Sequence, residues 1–185
     1  MKKRCEWAKI EPNTTYHDKE WGIPQHSDKK LFEFLILEGA QAGLSWSTIL
    51  NRRDGYRLAF SNFDAVKVSK YTPNHVKKLI QNKAIIRNKL KINSAINNAR
   101  QFIKIQKEFG SFDEYLWGFV NHKPIKNKFK KYSDLPSYTI ISKKLSQDLK
   151  KRGFNFVGPT ICYALMQAVG MVNDHTIDCF RYSEL

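Results

Sequence analysis

The sequence predicts an all-α fold, and three observations support this prediction. Apolar residues recur at helical spacing in most segments, residues that commonly start helices precede those segments, and no stretch shows the apolar–polar alternation of a half-buried strand. No internal repeat is present. With 185 residues, 42% of them hydrophobic, the chain has the size of one domain with a substantial core. We therefore predict a single helical domain over residues 1–185.

The first two helices follow from apolar spacing. In SDKKLFEFLILEGA, residues 27–40, Ser27 or Asp28 caps a helix whose large apolar residues lie at helical spacing. In SWSTILNRRDGYRLAF, residues 45–60, a second helix continues and is weakened near Gly55, because glycine is a poor helix former.

The middle of the chain carries clear signals for the start of helices. Thr72 followed by Pro73 opens the helix PNHVKKLIQN, since proline is favoured in the first helical turn. The segment from about residue 87 to residue 109 fits one long amphipathic helix, which the following glycine closes. Ser111, with Glu114 three residues later, forms a capping box for the next helix, FDEYLWGFV.

The last third of the chain begins with a segment that has little periodicity. Residues 121–138, here called the lysine-rich loop, contain two prolines and a cluster of lysines, which predicts an exposed loop. A helix resumes over about residues 140–151. The run RGFNFVGPT, residues 152–160, is then a glycine-bounded turn that leads into an apolar helix.

The charge of the chain favours a polyanionic partner. Lysine and arginine number 32 against 17 acidic residues, a formal net charge of +15, and such a surplus promotes binding to nucleic acid. A genome whose codons favour lysine would produce the same surplus, so charge alone leaves both explanations open. No window reaches the roughly 18 apolar residues of a spanning helix, and MKKRCEW lacks the apolar run of a secretory signal. We therefore expect a cytoplasmic protein with no membrane partner.

Four residues from the two ends of the chain form a candidate metal site. His175 and Cys179 lie four positions apart, so a helix there would place them on one face, and Cys5 and His17 are the Cys–His pair left to join them. Two thiolates and two imidazoles suit a tetrahedral Zn²⁺ ion with no open coordination position, which is a structural site. The alternative is that Cys179 is a core thiol and the histidines are ordinary surface residues.

The turn RGFNFVGPT is a candidate DNA-binding element. Gly153 and Gly158 bracket a short hairpin in which Phe154 and Phe156 can point inward, and three basic residues at positions 150–152 adjoin it. The exposed backbone N–H groups at the start of the following helix suit a phosphate of DNA. An ordinary connection between two helices, with glycine at its ends, explains the same pattern.

An acid and several aromatic residues form a candidate pocket. TYHDKEWGIP supplies Tyr16 and Trp21, and LEGAQAGLSW supplies Glu38 and Trp46. A carboxylate among aromatic rings suits a flat heterocycle, especially a cationic one. Leu44, in a small-residue loop, could enter a base stack as a wedge. The alternative reading makes both tryptophans core residues and Glu38 a surface residue at a helix end.

Taken together, these motifs resemble the 3-methyladenine DNA glycosylase I family, which belongs to the helix-hairpin-helix superfamily. The resemblance rests on YHDKEWGIP, LEGAQAGLSW, KKRGFNFVGPTICYALMQAVGMVNDH and the framing cysteines, and it runs collinearly from Cys5 to Cys179. It implies a helix-hairpin-helix DNA glycosylase-like domain, with a hairpin at about residues 150–160. It also implies a zinc clasp that joins the N-terminal segment, residues 1–20, to the C-terminal segment, residues 172–185.

The family's functional residues fall on matching positions of this chain. The resemblance implies zinc ligands at Cys5, His17, His175 and Cys179. It implies a base pocket of Tyr16, Trp21, Glu38 and Trp46, with Trp7 nearby. It implies DNA contacts at Gly43 and Leu44, and at the hairpin residues Lys150, Lys151, Arg152, Gly153, Gly158 and Thr160. One departure is Ala164, where some relatives have a small hydroxyl residue near the pocket.

The resemblance implies a monofunctional, monomeric DNA glycosylase of base excision repair that hydrolytically releases 3-methyladenine from alkylated double-stranded DNA. Methylation at N3 makes the base cationic, so it departs without protonation, and the position of the superfamily's catalytic aspartate is Asn173, one residue before Asp174. Glu38 is the candidate for a contribution to the rate. The alternative is a non-catalytic helix-hairpin-helix DNA-binding module with a structural zinc site. A bifunctional lyase of the same superfamily is less favoured, because iron–sulfur cysteines are missing.

Overall fold

Helices form along most of the chain, because apolar residues at helical spacing share one face that the core can bury. The computed structural model describes residues 2–185, and 59% of it is helix and 2% strand. The all-α prediction is confirmed as a mostly helical fold. Within the described residues, the structure contains no helix with the length and apolar character needed to cross a membrane.

Eleven α-helices are present within residues 2–185. In chain order they are α1 (Asn13–Lys19), α2 (Asp28–Gln41), α3 (Trp46–Leu50), α4 (Arg53–Ala59), α5 (Ala65–Ser69), α6 (Pro73–Gln81), α7 (Lys89–Phe109), α8 (Phe112–Gly118), α9 (Ile140–Lys151), α10 (Pro159–Ala168) and α11 (Phe180–Glu184).

Helix α2 lies at the centre of the fold. All residues from 31 to 40 are buried, and the helix packs against α3, α7, α8 and α10. A helix that is apolar on nearly all sides is stable only when other elements cover it. Two glutamates are therefore carried into the interior. Glu33 pairs with Arg53 at 2.7 Å, whereas Glu38 forms no ion pair within the described part of the chain.

Helix α7 is the longest element and supports both halves of the fold. The Asn88 side chain caps its first turn by accepting a hydrogen bond from the Lys91 N–H at 3.1 Å. Gly110 ends the helix in a left-handed conformation, with φ of 90°. The predicted long helix is confirmed, with a start two residues later than expected. Helices α5, α6 and α8 pack along it.

The region 45–60 differs from the prediction of one helix weakened at Gly55. The helix is interrupted between Leu50 and Arg53, and Gly55 lies inside α4. A Cβ atom at Gly55 would overlap the Ala84 carbonyl oxygen. The glycine therefore permits a close backbone approach rather than marking a break.

The start of α8 is capped from a distant part of the chain. Ser111 accepts a hydrogen bond from the Glu114 N–H at 3.0 Å, so half of the predicted capping box forms. The Asp28 carboxylate accepts hydrogen bonds from the N–H groups of Phe112 and Asp113, both at 2.9 Å. An acid of α2 thus satisfies two donors that a local capping box would have left free.

The lysine-rich loop contains a short strand, contrary to the expectation that no strand would form. β1 (Ile125–Lys126) pairs in parallel with β2 (Val172–Asn173). A two-residue strand is too short to show alternation in the sequence. The Ile177 N–H also donates to the Phe129 carbonyl at 2.9 Å. The loop is therefore fastened to the segment that carries His175.

Residues 152–158, here called the hairpin, connect α9 to α10. Gly153 turns the chain with φ of 89°. Phe154 is buried as predicted, whereas Phe156 is only half-buried and itself adopts φ of 53°. The predicted helix over residues 140–151 is confirmed as α9.

Candidate functional site

A cavity of about 620 Å³, here called the main cavity, has an aromatic wall. The structure brings all five predicted pocket residues to its lining, which are Trp7, Tyr16, Trp21, Glu38 and Trp46. The ring centroids of Tyr16 and Trp46 are 5.3 Å apart, and those of Trp7 and Trp21 are 4.9 Å apart. The wall thus offers aromatic faces and edges to a flat ligand.

Three helices position four of these side chains. Tyr16 lies on α1, and Trp21 follows that helix. Glu38 lies in the last turn of α2, and Trp46 is the first residue of α3. The Ser45 side chain caps α3 by accepting a hydrogen bond from the Thr48 N–H at 3.2 Å. The cavity therefore depends on how α1, α2 and α3 pack.

Polar groups with no partner point to a polar ligand. The hydroxyl of Tyr16 and the indole Nε1 of Trp46 are buried and have no hydrogen-bond partner within the described residues. Glu38 is 4% exposed, and its carboxyl likewise makes no hydrogen bond there. Buried polar groups are normally satisfied, and each one left unpaired costs roughly 1–3 kcal/mol. A ligand with polar edges would relieve that cost.

Burial controls the protonation of the acid. It raises the pKa of Glu38 to about 8, because the carboxylate loses hydration that no nearby cation replaces. Burial, and then the proximity of Glu38, raise the pKa of the Tyr16 hydroxyl well above its ordinary value. Glu38 is the only acid that lines the main cavity in the described part of the chain. A cationic ligand would favour its ionised form.

The cavity wall also contains residues that the sequence reasoning did not assign to it. Tyr132, Ser133, Leu135, Pro136 and Ser137 of the lysine-rich loop contribute, as do Thr160, Tyr163 and Gln167 of α10. Ala164 of α10, which the resemblance puts near the pocket, also lines the cavity. The loop carried no motif that could have indicated this role, because its contribution depends on where β1 and β2 pair. Thr160, predicted as a DNA contact, stands at the cavity edge.

Asp174 stands behind this wall as a buried acceptor. Its carboxylate, 1% exposed, accepts hydrogen bonds from the Tyr163 hydroxyl at 2.5 Å, Gln167 Nε2 at 2.8 Å and Asn127 Nδ2 at 2.6 Å. Asn173 accepts a hydrogen bond from the His175 N–H at 3.2 Å. Both residues hold the wall and the nearby chain in place, and neither lines the cavity.

Residues 42–45, here called the insertion loop, project beside the cavity. Gly43 adopts φ of 77°, a conformation that favours glycine. Leu44 follows with 39% of its surface exposed, although leucine is usually buried. The loop thus presents an apolar side chain to solvent next to Trp46.

The basic residues near the hairpin differ in whether they already form ion pairs. Lys150 and Lys151 are exposed at the end of α9. The Arg152 guanidinium donates to both Glu108 oxygens at 2.7 and 3.1 Å and to Asp148 at 2.6 Å. A phosphate that binds Arg152 would therefore compete with the two carboxylates to which its guanidinium is already hydrogen-bonded.

The four predicted metal ligands form one buried cluster, here called the metal cluster. Cys5, His17, His175 and Cys179 bring one donor atom each to within 4.8 Å of one another. The segment from His175 to Cys179 is not helical, contrary to the expectation that a helix would align the pair. A turn brings the two side chains together instead, and the Cys179 N–H donates to the Thr176 carbonyl at 2.8 Å. The cluster could hold a metal ion.

Neighbouring groups orient the donor atoms of the metal cluster. His17 Nδ1 lies 2.8 Å from Asp18, and His175 Nε2 lies 3.2 Å from the Trp21 carbonyl oxygen. Each histidine thus directs its other nitrogen into the cluster. The sulfur atoms of the two cysteines lie within 4.8 Å of each other, and their interaction raises the pKa of Cys5 and lowers that of Cys179, because two adjacent thiolates would repel each other and one proton stays with the pair.

Comparison with known proteins gives consistent matches over nearly the whole chain. The methyladenine glycosylase family model matches residues 7–182. The chain is 47% identical over 180 residues to DNA-3-methyladenine glycosylase 1 of Escherichia coli (strain K12), which covers 97% of this chain and 96% of that protein. A crystal structure of 3-methyladenine DNA glycosylase I has a TM-score of 0.94 at 44% identity, covering 96% of this chain and 98% of that one. A variant of such an enzyme in complex with 3-methyladenine has a TM-score of 0.93 at 34% identity, with 96% of each chain covered.

Proposed function

The chain belongs to the methyladenine glycosylase family, and we propose that it is a DNA glycosylase that releases 3-methyladenine from alkylated DNA. The observation that carries this proposal is the main cavity, where a buried acid without a partner lies among aromatic rings. A module that only binds phosphates has no use for such a group, so the cavity argues against the non-catalytic alternative.

The substrate itself lowers the demand for acid catalysis. Methylation at N3 makes adenine cationic, which weakens its bond to the sugar, so the base can leave without being protonated. The protein must extrude the nucleotide, at a cost of a few kcal/mol that is smallest for a damaged base. Leu44 of the insertion loop would fill the vacated space in the stack. The reaction is then base excision without strand cleavage.

Trp46, Tyr16 and Glu38 of the main cavity each have a task in this reaction. The Trp46 ring stacks on the base, the Tyr16 hydroxyl hydrogen-bonds its polar edge, and Glu38 accepts hydrogen bonds from its amino edge. Positive charge moves from the base to the sugar as the bond breaks, so attraction to a charged base favours the ground state. A gain in rate requires contacts that persist with the neutral base. Glu38 is our candidate for such a contact, because the amino edge keeps its hydrogen-bond donors after the base becomes neutral.

We further propose that the metal cluster holds a structural Zn²⁺ ion. Zinc–sulfur distances of about 2.3 Å and zinc–nitrogen distances of about 2.0–2.1 Å place tetrahedral ligands roughly 3.3–3.8 Å apart. The two histidine nitrogens are 3.2 Å apart, and three of the nitrogen–sulfur distances are 3.4, 3.5 and 3.6 Å. Four protein ligands leave no position for a substrate, so the ion would tie the two ends of the chain together.

The region from α9 to α10 has the features expected of a helix-hairpin-helix DNA-binding element. In this proposal the N–H groups at the start of α10 bind a phosphate, and Lys150 and Lys151 add sequence-independent attraction. One chain supplies the cavity, the insertion loop and the hairpin, which supports a monomer as the active form. Three buried free cysteines are compatible with the reducing cytoplasm.

The direct test is a chromatographic assay of the bases released from methylated duplex DNA. We expect selective release of 3-methyladenine over 7-methylguanine by the wild-type protein. The double variant E38Q/W46A should lose this release, because it lacks the acid and the stacking surface. The variant E114Q, which changes an exposed glutamate outside the cavity, serves as the matched control and should remain active. Absence of release from folded, metal-loaded wild-type protein would favour the DNA-binding module.

A further inference from the structure

A lysine of α7 holds the end of α2. Lys91 Nζ donates hydrogen bonds to the carbonyl oxygens of Ala40 and Ala42, at 2.8 and 2.6 Å. Carbonyl groups at the C-terminus of a helix lack partners within the helix, and a cation there also interacts favourably with the helix dipole. Lys91 is half-buried, so water competes poorly for these bonds.

The two carbonyl groups border the insertion loop. Ala42 is its first residue, and the Leu44 N–H donates back to the Gln41 carbonyl at 2.6 Å. A Cβ atom at Gly43 would meet nothing within 4 Å, so the tip of the loop is open to solvent. Within residues 2–185, Lys91 makes the only hydrogen bond from a distant element to the backbone of the loop.

The same helix also holds the hairpin. Asn98, seven residues after Lys91 on α7 and 2% exposed, accepts a hydrogen bond from the Asn155 N–H and donates one to its carbonyl, both at 2.9 Å. Asn97 donates to the Gly153 carbonyl at 2.7 Å. Positions seven apart lie close to one face of a helix. Rigid α7 therefore connects two elements that, under the proposed function, both contact DNA.

We propose that Lys91 is a positioning residue that fixes the insertion loop at a set distance from the hairpin. This inference rests on the proposed glycosylase function. While the hairpin grips the phosphates, Leu44 must stay between the base pairs against the tendency of the duplex to stack again. Without Lys91, the four-residue loop, which has a glycine at its tip, can move away as the base pairs stack again. The defect would therefore appear in the extrusion of the nucleotide rather than in recognition of the free base.

The test compares K91M with the matched control K89M. Methionine keeps an apolar side chain of similar length and removes both hydrogen bonds. Lys89 is exposed, lies in the same helical turn and makes no side-chain hydrogen bond within the described residues, so K89M removes the same charge from that turn without removing a hydrogen bond. The conservative variant K91R retains a cationic hydrogen-bond donor and should keep the activity of the wild type. A thermal melt of each variant reports whether it is folded.

Three measurements separate positioning from general damage. Single-turnover release of 3-methyladenine from duplex DNA should fall about tenfold or more in K91M relative to K89M. Binding of free 3-methyladenine, followed by the fluorescence of Trp46 and its neighbours, should stay within about twofold, because Lys91 lies outside the main cavity. The defect should shrink when the lesion lies opposite a mismatched base, where extrusion costs less.

A further measurement does not depend on base release. A duplex with 2-aminopurine beside an abasic-site analogue should brighten when wild-type protein, K89M or K91R inserts its wedge, and less so with K91M. A smaller increase in fluorescence with K91M would support the positioning role of Lys91 even if no base were released. Failure to release the base would count only against the proposed glycosylase activity. Equal fluorescence and equal excision for K91M and K89M would overturn the role of Lys91.

Discussion

At the scale of single residues, Glu38 combines two properties that the sequence alone did not reveal together. It is buried with the core residues of α2, and it has no hydrogen-bond partner in the described part of the chain. Burying an ionised carboxylate without a partner is unfavourable, so the pKa of Glu38 rises to about 8. Retaining such a group lowers stability at neutral pH and above. The proposed function supplies a reason for it.

This cost predicts how the variant E38Q changes stability with pH. The pKa of Glu38 is about 8 in the folded protein against an ordinary value of 4.5. The stability that protonation of Glu38 contributes is therefore complete below about pH 4.5 and is lost as the pH rises from there through 8. Glutamine has no such proton to lose. The free energy of unfolding of E38Q should therefore rise relative to that of the wild type between pH 5 and pH 9. The rise should be about 1.4 kcal/mol for each tenfold difference in the proton affinity of Glu38 between the folded and unfolded wild type.

Urea denaturation of both proteins at the two pH values measures this difference directly. The titration of the metal cluster occurs in both proteins and cancels in the comparison. A constant stability difference between pH 5 and pH 9 would mean that Glu38 keeps an ordinary pKa, through water or a movement of α2.

At the scale of elements, close contacts between backbones explain features that propensity alone misread. Gly55 lies inside α4, where glycine is a weak helix former, because α4 approaches the backbone at Ala84 too closely for a side chain. The break between α3 and α4 falls earlier, at Asn51 and Arg52. Likewise, Asp28 of α2 supplies much of the cap of α8. Tertiary contacts decide these points, and a reading of local signals does not include them.

The contact at Gly55 predicts opposite outcomes for two glycine-to-alanine substitutions. The G55A variant should lose roughly 1–3 kcal/mol of stability, because the new methyl group overlaps the Ala84 carbonyl. The G118A variant, at the last residue of α8 with nothing within 4 Å of the added Cβ, should be neutral or slightly stabilised, because alanine favours helix. Denaturant unfolding of both variants tests the pair. Equal stabilities would show that the contact at Gly55 relaxes without cost.

At the scale of the whole molecule, the two ends of the chain meet at the metal cluster, and this meeting shapes the main cavity. His17 lies next to Tyr16 and close before Trp21, and His175 directly follows Asp174, which holds Tyr163 and Gln167. The pairing of β1 with β2 adds the lysine-rich loop to the same region. The proposed metal ligands therefore adjoin the parts of the cavity wall that come from α1, from α10 and from the lysine-rich loop.

Removal of the metal should therefore destabilise the protein as a whole. We expect about one zinc ion per chain by elemental analysis, and a loss of at least roughly 3 kcal/mol of stability on chelation, because the ligands then no longer join the chain ends. The variant H17A should melt at a lower temperature and show no response to chelator. The variant H26A, which changes an exposed histidine outside the cluster, should respond as the wild type does. Protein that purifies without metal and ignores chelators would contradict the zinc proposal.

The sequence by itself determined the helical class, most helix positions, and which residue types stand in the candidate sites. These properties are local, since apolar spacing, caps and glycines act within a few residues. The tertiary structure alone decided that the lysine-rich loop walls the main cavity and that Lys91 reaches the insertion loop. It also decided that a turn rather than a helix joins His175 to Cys179. Those outcomes depend on how separate segments pack around α2, and no short-range pattern encodes the distance between residues far apart in the chain.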